Sequence, residues 1–269
     1  MSFTEGYNAI AQVYDALNAE IDYGAWCDFV EASFDRFLEQ RPELVLDLAC
    51  GTGRMTEALS RRGYDMIGVD GSEEMLSVAF ERSLPEEDDA PLEKRPMYLL
   101  QDMRRFELYG TVGAVVCCLD SINYLLSEDD VRSCFACVHN YLDPDGLFLF
   151  DVNSPYKFKH IYGDNAYVLE DEWTDEDGVE RAAYCGWQNH FDEQTGICEF
   201  DLSVFEQNAD GSYDRADEQQ KERCYDKALL CALLEQTGFE LLGIFGGYDR
   251  EIVTDESERW YFVARCIKK

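Results

Sequence analysis

The segment VLDLACGTGRMTEAL, residues 45–59, constrains the fold more than any other. A nearly unbroken apolar run ends in a tight turn holding Gly51 and Gly53, and helical spacing begins directly after it. Short continuous apolar strands are buried on both faces, as in a parallel sheet. The same rhythm then repeats along the chain. Arg54 to Arg62 reads as a helix stopped by Gly63, YDMIGVD as a strand, and SEEMLSVAFERS as a helix with Ser72 at its N-cap. MYLLQD and TVGAVVCCLD are further strands. Ser127 and Asp130 open a helix reaching Leu142, DPDG is a turn, and LFLFDVN is a fifth strand. Strands alternating with helices predict an α/β fold with a doubly wound, mostly parallel sheet.

Two helices precede this unit. Tyr7, Ile10, Tyr14 and Leu17 recur at helical spacing, and a second apolar stripe runs from Trp26 to Phe37. After Asn153 the rhythm changes. NAYVLEDEW, RAAYCGWQNHF and GICEFDLSVFEQ have period two and are separated by turn signals, which predicts an antiparallel meander. The helix DKALLCALLEQTG and the strands FELLGIFGG and RWYFVARC close the chain. The expected organisation is a core of residues 1–153 and 226–269, with a helical lid over 1–40. Residues 154–225 form an inserted antiparallel lobe, expected to serve the substrate or oligomerisation.

The glycine turn suits an adenosine-type cofactor, because backbone N–H groups at a helix N-terminus can approach it closely. In dinucleotide folds a third glycine lets helix and strand pack tightly; Thr56 occupies that place here, which argues against a pyrophosphate. Three later strands end in acidic residues. Asp70 can accept both hydrogens of a ribose diol, and Asp102 with the adjacent Met103 can meet an adenine edge and face. Asp120 ends the fourth strand.

In order and spacing, VLDLACGTGRMTEAL, GVDGSEEML, QDMRRF and CCLDSINYL resemble the cofactor motifs of class I S-adenosylmethionine-dependent methyltransferases. The resemblance covers about residues 40–155 plus RWYFVARC. It implies a seven-stranded Rossmann-like sheet whose final strand is antiparallel. It also implies S-adenosylmethionine as cofactor, with S-adenosylhomocysteine as product. Asp47 and the turn of Ala49, Cys50, Gly51 and Gly53 would lie along the methionine part. Asp70, followed by Gly71, would hold the ribose. Met75 would pad the adenine, Asp102 and Met103 would read it, and Asp120 would face the methionine amino group or the substrate. Tyr14 lies on the helix that in this family folds over the cofactor. The aromatic N-terminal helix and inserted meander resemble the small-molecule branch, which includes glycine and amino-sugar N-methyltransferases.

Methyl transfer from a sulfonium needs alignment of acceptor, methyl and sulfur, and exclusion of water. A general base is required only for a protonated or alcoholic acceptor. No triad is visible. Loops leaving the strand tips offer Asn123, Tyr124 and Asn153 as substrate contacts, and His190 or His160 as a base. The alternatives are an NAD-type oxidoreductase on a similar sheet and a non-catalytic cofactor-binding protein.

The formal net charge of −33 over 269 residues repels phosphate backbones and anionic membranes, so the expected partner is a small molecule rather than nucleic acid or lipid. A homodimer is left open. The 11 cysteines, several inside apolar runs, read as thiols of a reducing compartment. Cys134 and Cys137 form a C-x-x-C within a helical pattern and lack a second pair at zinc spacing, so no metal is expected. The first residues show no leader pattern, and no run has the ~20 apolar residues of a membrane helix. The chain is expected to be cytoplasmic.

Overall fold

The computed structural model describes residues 21–84, 94–174, 178, 180–249 and 252–268. Tyr7 and Tyr14 lie outside the described residues. Helix α1 (Tyr23–Phe37) is capped by the side chain of Asp22, which accepts a hydrogen bond from Ala25 N at 2.8 Å. The chain then alternates through β1 (Leu44–Leu48), α2 (Arg54–Arg61), β2 (Asp65–Asp70), α3 (Glu73–Arg82), β3 (Met97–Leu100) and β4 (Val112–Cys117). Helix α4 (Glu128–Tyr141) leads into β5 (Leu142–Asn153). Ser127 caps α4 as its sequence suggests, accepting from Asp130 N at 3.1 Å. The predicted DPDG turn falls within the span of β5, where Asp145 takes a positive φ of 62°.

After the lobe come α5 (Lys227–Gln236), β10 (Phe239–Phe245) and β11 (Arg259–Cys266). The seven-stranded sheet has the order β10-β11-β5-β4-β1-β2-β3. Only β11 runs antiparallel to its neighbours, β5 and β10. Period-two alternation divides the strand residues between two cores. Leu46, Leu48, Val115, Phe148 and Phe150 face α4 and α5. Val45, Ala114, Val116, Leu147 and Leu149 pack against Trp26, Phe29 and Phe34 of α1. Helices on both faces explain why the central strands are apolar on both sides apart from Asp47 and Asp151 near their ends.

The lobe is a four-stranded antiparallel sheet of β6 (Ala166–Thr174), β7 (Glu180–Asp192), β8 (Ile197–Gln207) and β9 (Tyr213–Arg223). Its own apolar cluster includes Phe158, Cys185, Cys198, Phe200 and Leu202. The sequence names three of these strands. The fourth, YDRADEQQKER, keeps period two, but the residues it buries are Glu218, Gln220 and Glu222. A hydrophobic pattern cannot reveal a strand whose inward side chains are polar. No described helix is long and apolar enough to cross a membrane.

Candidate active site

A cleft of about 610 Å³ opens where β1, β2 and β4 end, and β9 of the lobe forms its far wall. Its floor is the glycine turn. Ala49, Gly51 and Gly53 all have positive φ (58°, 54° and 76°), so the backbone doubles back sharply after β1. A Cβ on Gly51 would meet nothing within 4 Å, leaving open space above the turn. Gly53 points the other way: a Cβ there would lie 2.7 Å from Tyr98 Oη and 2.9 Å from Ala79 Cβ. Gly51 therefore leaves room for a ligand, and Gly53 lets β3 and α3 approach.

Thr56, where a third glycine was looked for, is fully buried and donates to Asp47 Oδ2 at 2.5 Å. Burial pushes the Asp47 carboxyl up to about 7, against the opposing bond from Thr56. Thr56→Val keeps the shape and the backbone N–H that also meets this carboxyl but removes the hydroxyl donor, so it is expected to cost about 1 kcal/mol of stability in urea titration.

Asp70 closes the turn from β2. Its Oδ2 accepts from Gly51 N at 2.8 Å and its Oδ1 from Ser72 N at 2.8 Å. Burial raises its carboxyl above the ordinary range, opposed by these backbone donors. A carboxylate so bound retains lone pairs for two further donors. Gly71, Met75 and Met103 also line the cleft, and both methionines are nearly buried. Cys50 lines it as well; burial keeps its thiol far from ionisation.

Asp102 is placed differently. Its carboxylate is gripped by Arg104, whose Nε and Nη2 donate to its two oxygens at 3.0 and 2.8 Å, and Arg104 reaches on to Asp130 at 2.7 Å. The cleft is lined here by Gln101, Met103 and Arg104. Burial would raise the Asp102 carboxyl, but Arg104 holds it below the usual range.

Asp120 is likewise engaged, accepting from Arg259 Nη2 at 2.6 Å. Leu119 and Asp120 both adopt left-handed backbone (φ 60° and 58°) at the tip of β4. Such a pair persists only when its surroundings over-determine it. Asp151, fully buried on β5, does so: its oxygens accept from Leu119 N at 2.7 Å and Asp120 N at 3.1 Å, and Arg259 from β11 also donates to it. Leu119 and Ser121 of this turn face the cleft.

Asn123 and Asn153 are buried and join core to lobe. Asn123 Nδ2 donates to Arg223 O at 2.8 Å, and its Oδ1 accepts from Asn153 N at 2.9 Å. Tyr124 lines the cleft and donates to Gln220 Oε1 at 3.0 Å. His190 sits apart, exposed on the lobe and paired with Asp164 at 2.8 Å.

The structure thus gathers Asp47, the turn residues, Asp70, Gly71, Met75, Met103 and Tyr124 around one cleft. It adds Arg104 and Gln220 to the cleft wall and, outside its lining, Glu222, Asp151 and Arg259, none of which the motifs singled out. Asp151 had a readable signal: a charge inside the apolar run LFLFDVN. Arg259 and Glu222 had none, because their partners lie far away in sequence.

Open space over Gly51, the Asp70 lone pairs and the two methionines fit an S-adenosyl group. Residues 45–146 match the model of a family described as a methyltransferase domain. A Geobacillus sp. (strain WCH70) protein named as a methyltransferase is 32% identical over 259 residues, spanning 96% of this chain and 99% of that protein. The dTDP-3-amino-3,4,6-trideoxy-alpha-D-glucopyranose N,N-dimethyltransferase of Streptomyces venezuelae is 31% identical over 173 residues, 64% of each chain. The crystal structure of an S-adenosylmethionine-dependent methyltransferase from Clostridium acetobutylicum superposes with a TM-score of 0.80 at 29% identity, covering 97% of this chain and 99% of that one. The chain belongs to the class I S-adenosylmethionine-dependent methyltransferases.

Proposed function

We propose that this methyltransferase acts on a small-molecule acceptor by in-line displacement, with the acceptor seated between the β4 tip and the lobe. The observation that carries this reading is the single cleft: cofactor-type residues line one part, and Tyr124, Gln219, Gln220 and Lys221 line another. S-adenosylmethionine, when bound, supplies a methyl group activated by the sulfonium. The chain's own residues then do the positioning. Asp47 and the 49–53 turn lie along the methionine part, Asp70 and Gly71 hold the ribose, and Met75 and Met103 cover the adenine. Asp102 acts at the adenine edge through the Arg104 it holds. Asp120 acts through the turn that carries Leu119 and Ser121. The Streptomyces venezuelae relative is named for an amino sugar, which supports an amine acceptor. The acidic surface supports a small molecule over nucleic acid, and the 11 free thiols support a reducing, cytoplasmic setting.

The test is transfer of a labelled methyl group from S-adenosylmethionine to fractions of a metabolite pool. Label appearing in a small-molecule fraction supports the reading. Label appearing only in protein or nucleic acid overturns it.

Asp47 gives a pH signature. Its folded value near 7 lies above that of an unfolded aspartate, so its contribution to stability is present at acid pH and is lost as pH rises through about 7. An α-ammonium placed beside it favours the carboxylate. S-adenosylhomocysteine binding is therefore expected to release a proton below about pH 7, read by calorimetry in two buffers of different ionisation enthalpy. Asp47→Asn should abolish that release.

A further inference from the structure

A buried carboxyl group and a half-buried one meet where the lobe rests on the core. Glu222 lies on β9, 2% exposed, and its Oε2 accepts from Asn153 Nδ2 at 3.0 Å. Its carboxyl also hydrogen-bonds to that of Asp120. Such a bond needs a proton on one partner, since a carboxylate can only accept.

The surroundings say which partner holds it. Asp120 and Asp151 both accept from Arg259, and Asp151 takes two backbone N–H groups as well. The other groups facing Glu222 are Lys157 and Tyr162 from the helical turn after β5 and Cys198 from β8. The pocket thus holds two cations: Arg259, shared by Asp120 and Asp151, and Lys157, which faces Asp120, Glu222 and the exposed Glu258. A third carboxylate would bury an unmatched charge. Burial and the Asp120 charge accordingly push Glu222 well above the carboxyl range, while Arg259 and Lys157 hold Asp120 below it despite its burial.

We propose that Glu222 is a positioning residue: as a neutral acid it donates to Asp120, and so seats β9, with the Gln219–Lys221 wall of the cleft, on the tip of β4. The same bond steadies the Leu119–Ser121 turn on the cofactor side. Three further contacts run along this seam, Asn123 to Arg223 O, Tyr124 to Gln220 and Arg223 to Leu126 O. Glu222 alone among them bonds through a carboxyl group.

Glutamine makes the test sharp, because it keeps a donor for Asp120 and an acceptor for Asn153 but cannot ionise. The full chain would be compared with Glu222→Gln and Glu222→Ala from acid pH up to the alkaline limit of the folded state. A raised folded pKa means stability present at acid pH and lost as pH rises through it, so the melting temperature of the unmutated chain should fall relative to Glu222→Gln across that range. The ratio of its dissociation constant for S-adenosylhomocysteine to that of Glu222→Gln should rise about threefold or more over the same interval. Taking the ratio removes the opposing effect of Asp47. The infrared carbonyl band of protonated carboxyls at neutral pH should lose intensity in Glu222→Gln, leaving the share that belongs to Asp47. Glu222→Ala should be weaker than Glu222→Gln in both stability and affinity. The proposal is overturned if the infrared band keeps its full intensity in Glu222→Gln, if the ratio stays flat, or if Glu222→Gln behaves as poorly as alanine. If the alanine variant does not fold, the glutamine comparison decides alone. None of these readouts uses methyl transfer, so their failure would leave the methyl-transfer reading standing.

Discussion

Replacing Asp70 with alanine is expected to weaken S-adenosylhomocysteine binding on the order of 10³-fold. The carboxylate does two things at once. It ties Gly51 N and Ser72 N together at 2.8 Å each, which holds the glycine turn against β2. In the proposed complex its remaining lone pairs take the ribose hydroxyls. Each charge-assisted bond contributes about 1.5–3 kcal/mol when water is excluded, and two of them account for the expected loss. Asp70→Asn keeps the shape but turns one acceptor into a donor, so an intermediate loss of about 10–100-fold is expected. Calorimetric titration with S-adenosylhomocysteine measures both. An unchanged dissociation constant in a folded Asp70→Ala protein would remove the ribose assignment.

Arg259→Ala is expected to produce the largest loss of stability, about 3–5 kcal/mol. Arg259 spans Asp120 and Asp151, and Asp151 is fully buried. Its removal leaves two carboxylates with no matching guanidinium and frees the left-handed turn at Leu119–Asp120. The fall in melting temperature should be roughly 10 °C. Arg259→Lys should recover only part of it, since an ammonium is a point charge and cannot fork between two carboxylates. A melting temperature within a degree or two of the parent would show the network to be replaceable.

The antiparallel closing strand follows only from the family resemblance, whereas the alternation of strands and helices and the separate lobe are legible in the sequence itself. Each depends on local patterning that a few neighbouring residues display. The glycine turn was legible for the same reason. Thr56 was read only as a missing glycine; its positive role, a bond to Asp47, needs the strand and helix to be packed together. Asp102 and Asp120 were read as free acids at strand tips. Arg104 is only two residues beyond Asp102, yet nothing in QDMRR says that it folds back rather than outward. The fourth lobe strand escaped notice because its inward face is Glu218, Gln220 and Glu222, polar residues that an apolar period cannot register.

What the sequence determined alone is therefore the local grammar: which apolar segments are strands, where the glycine turn lies, and which family's motifs stand in order. The tertiary structure decided how the charges are paired. Arg259 meets Asp151 across 108 residues and Asp120 across 139, and Asn153 meets Glu222 across 69. Hydrophobic periodicity is written into each element, because every strand and helix must bury its own face. Charge compensation in a buried site is a property of the assembled pocket, where a cation brought by the last strand and a proton kept on the lobe make the core carboxylates tolerable.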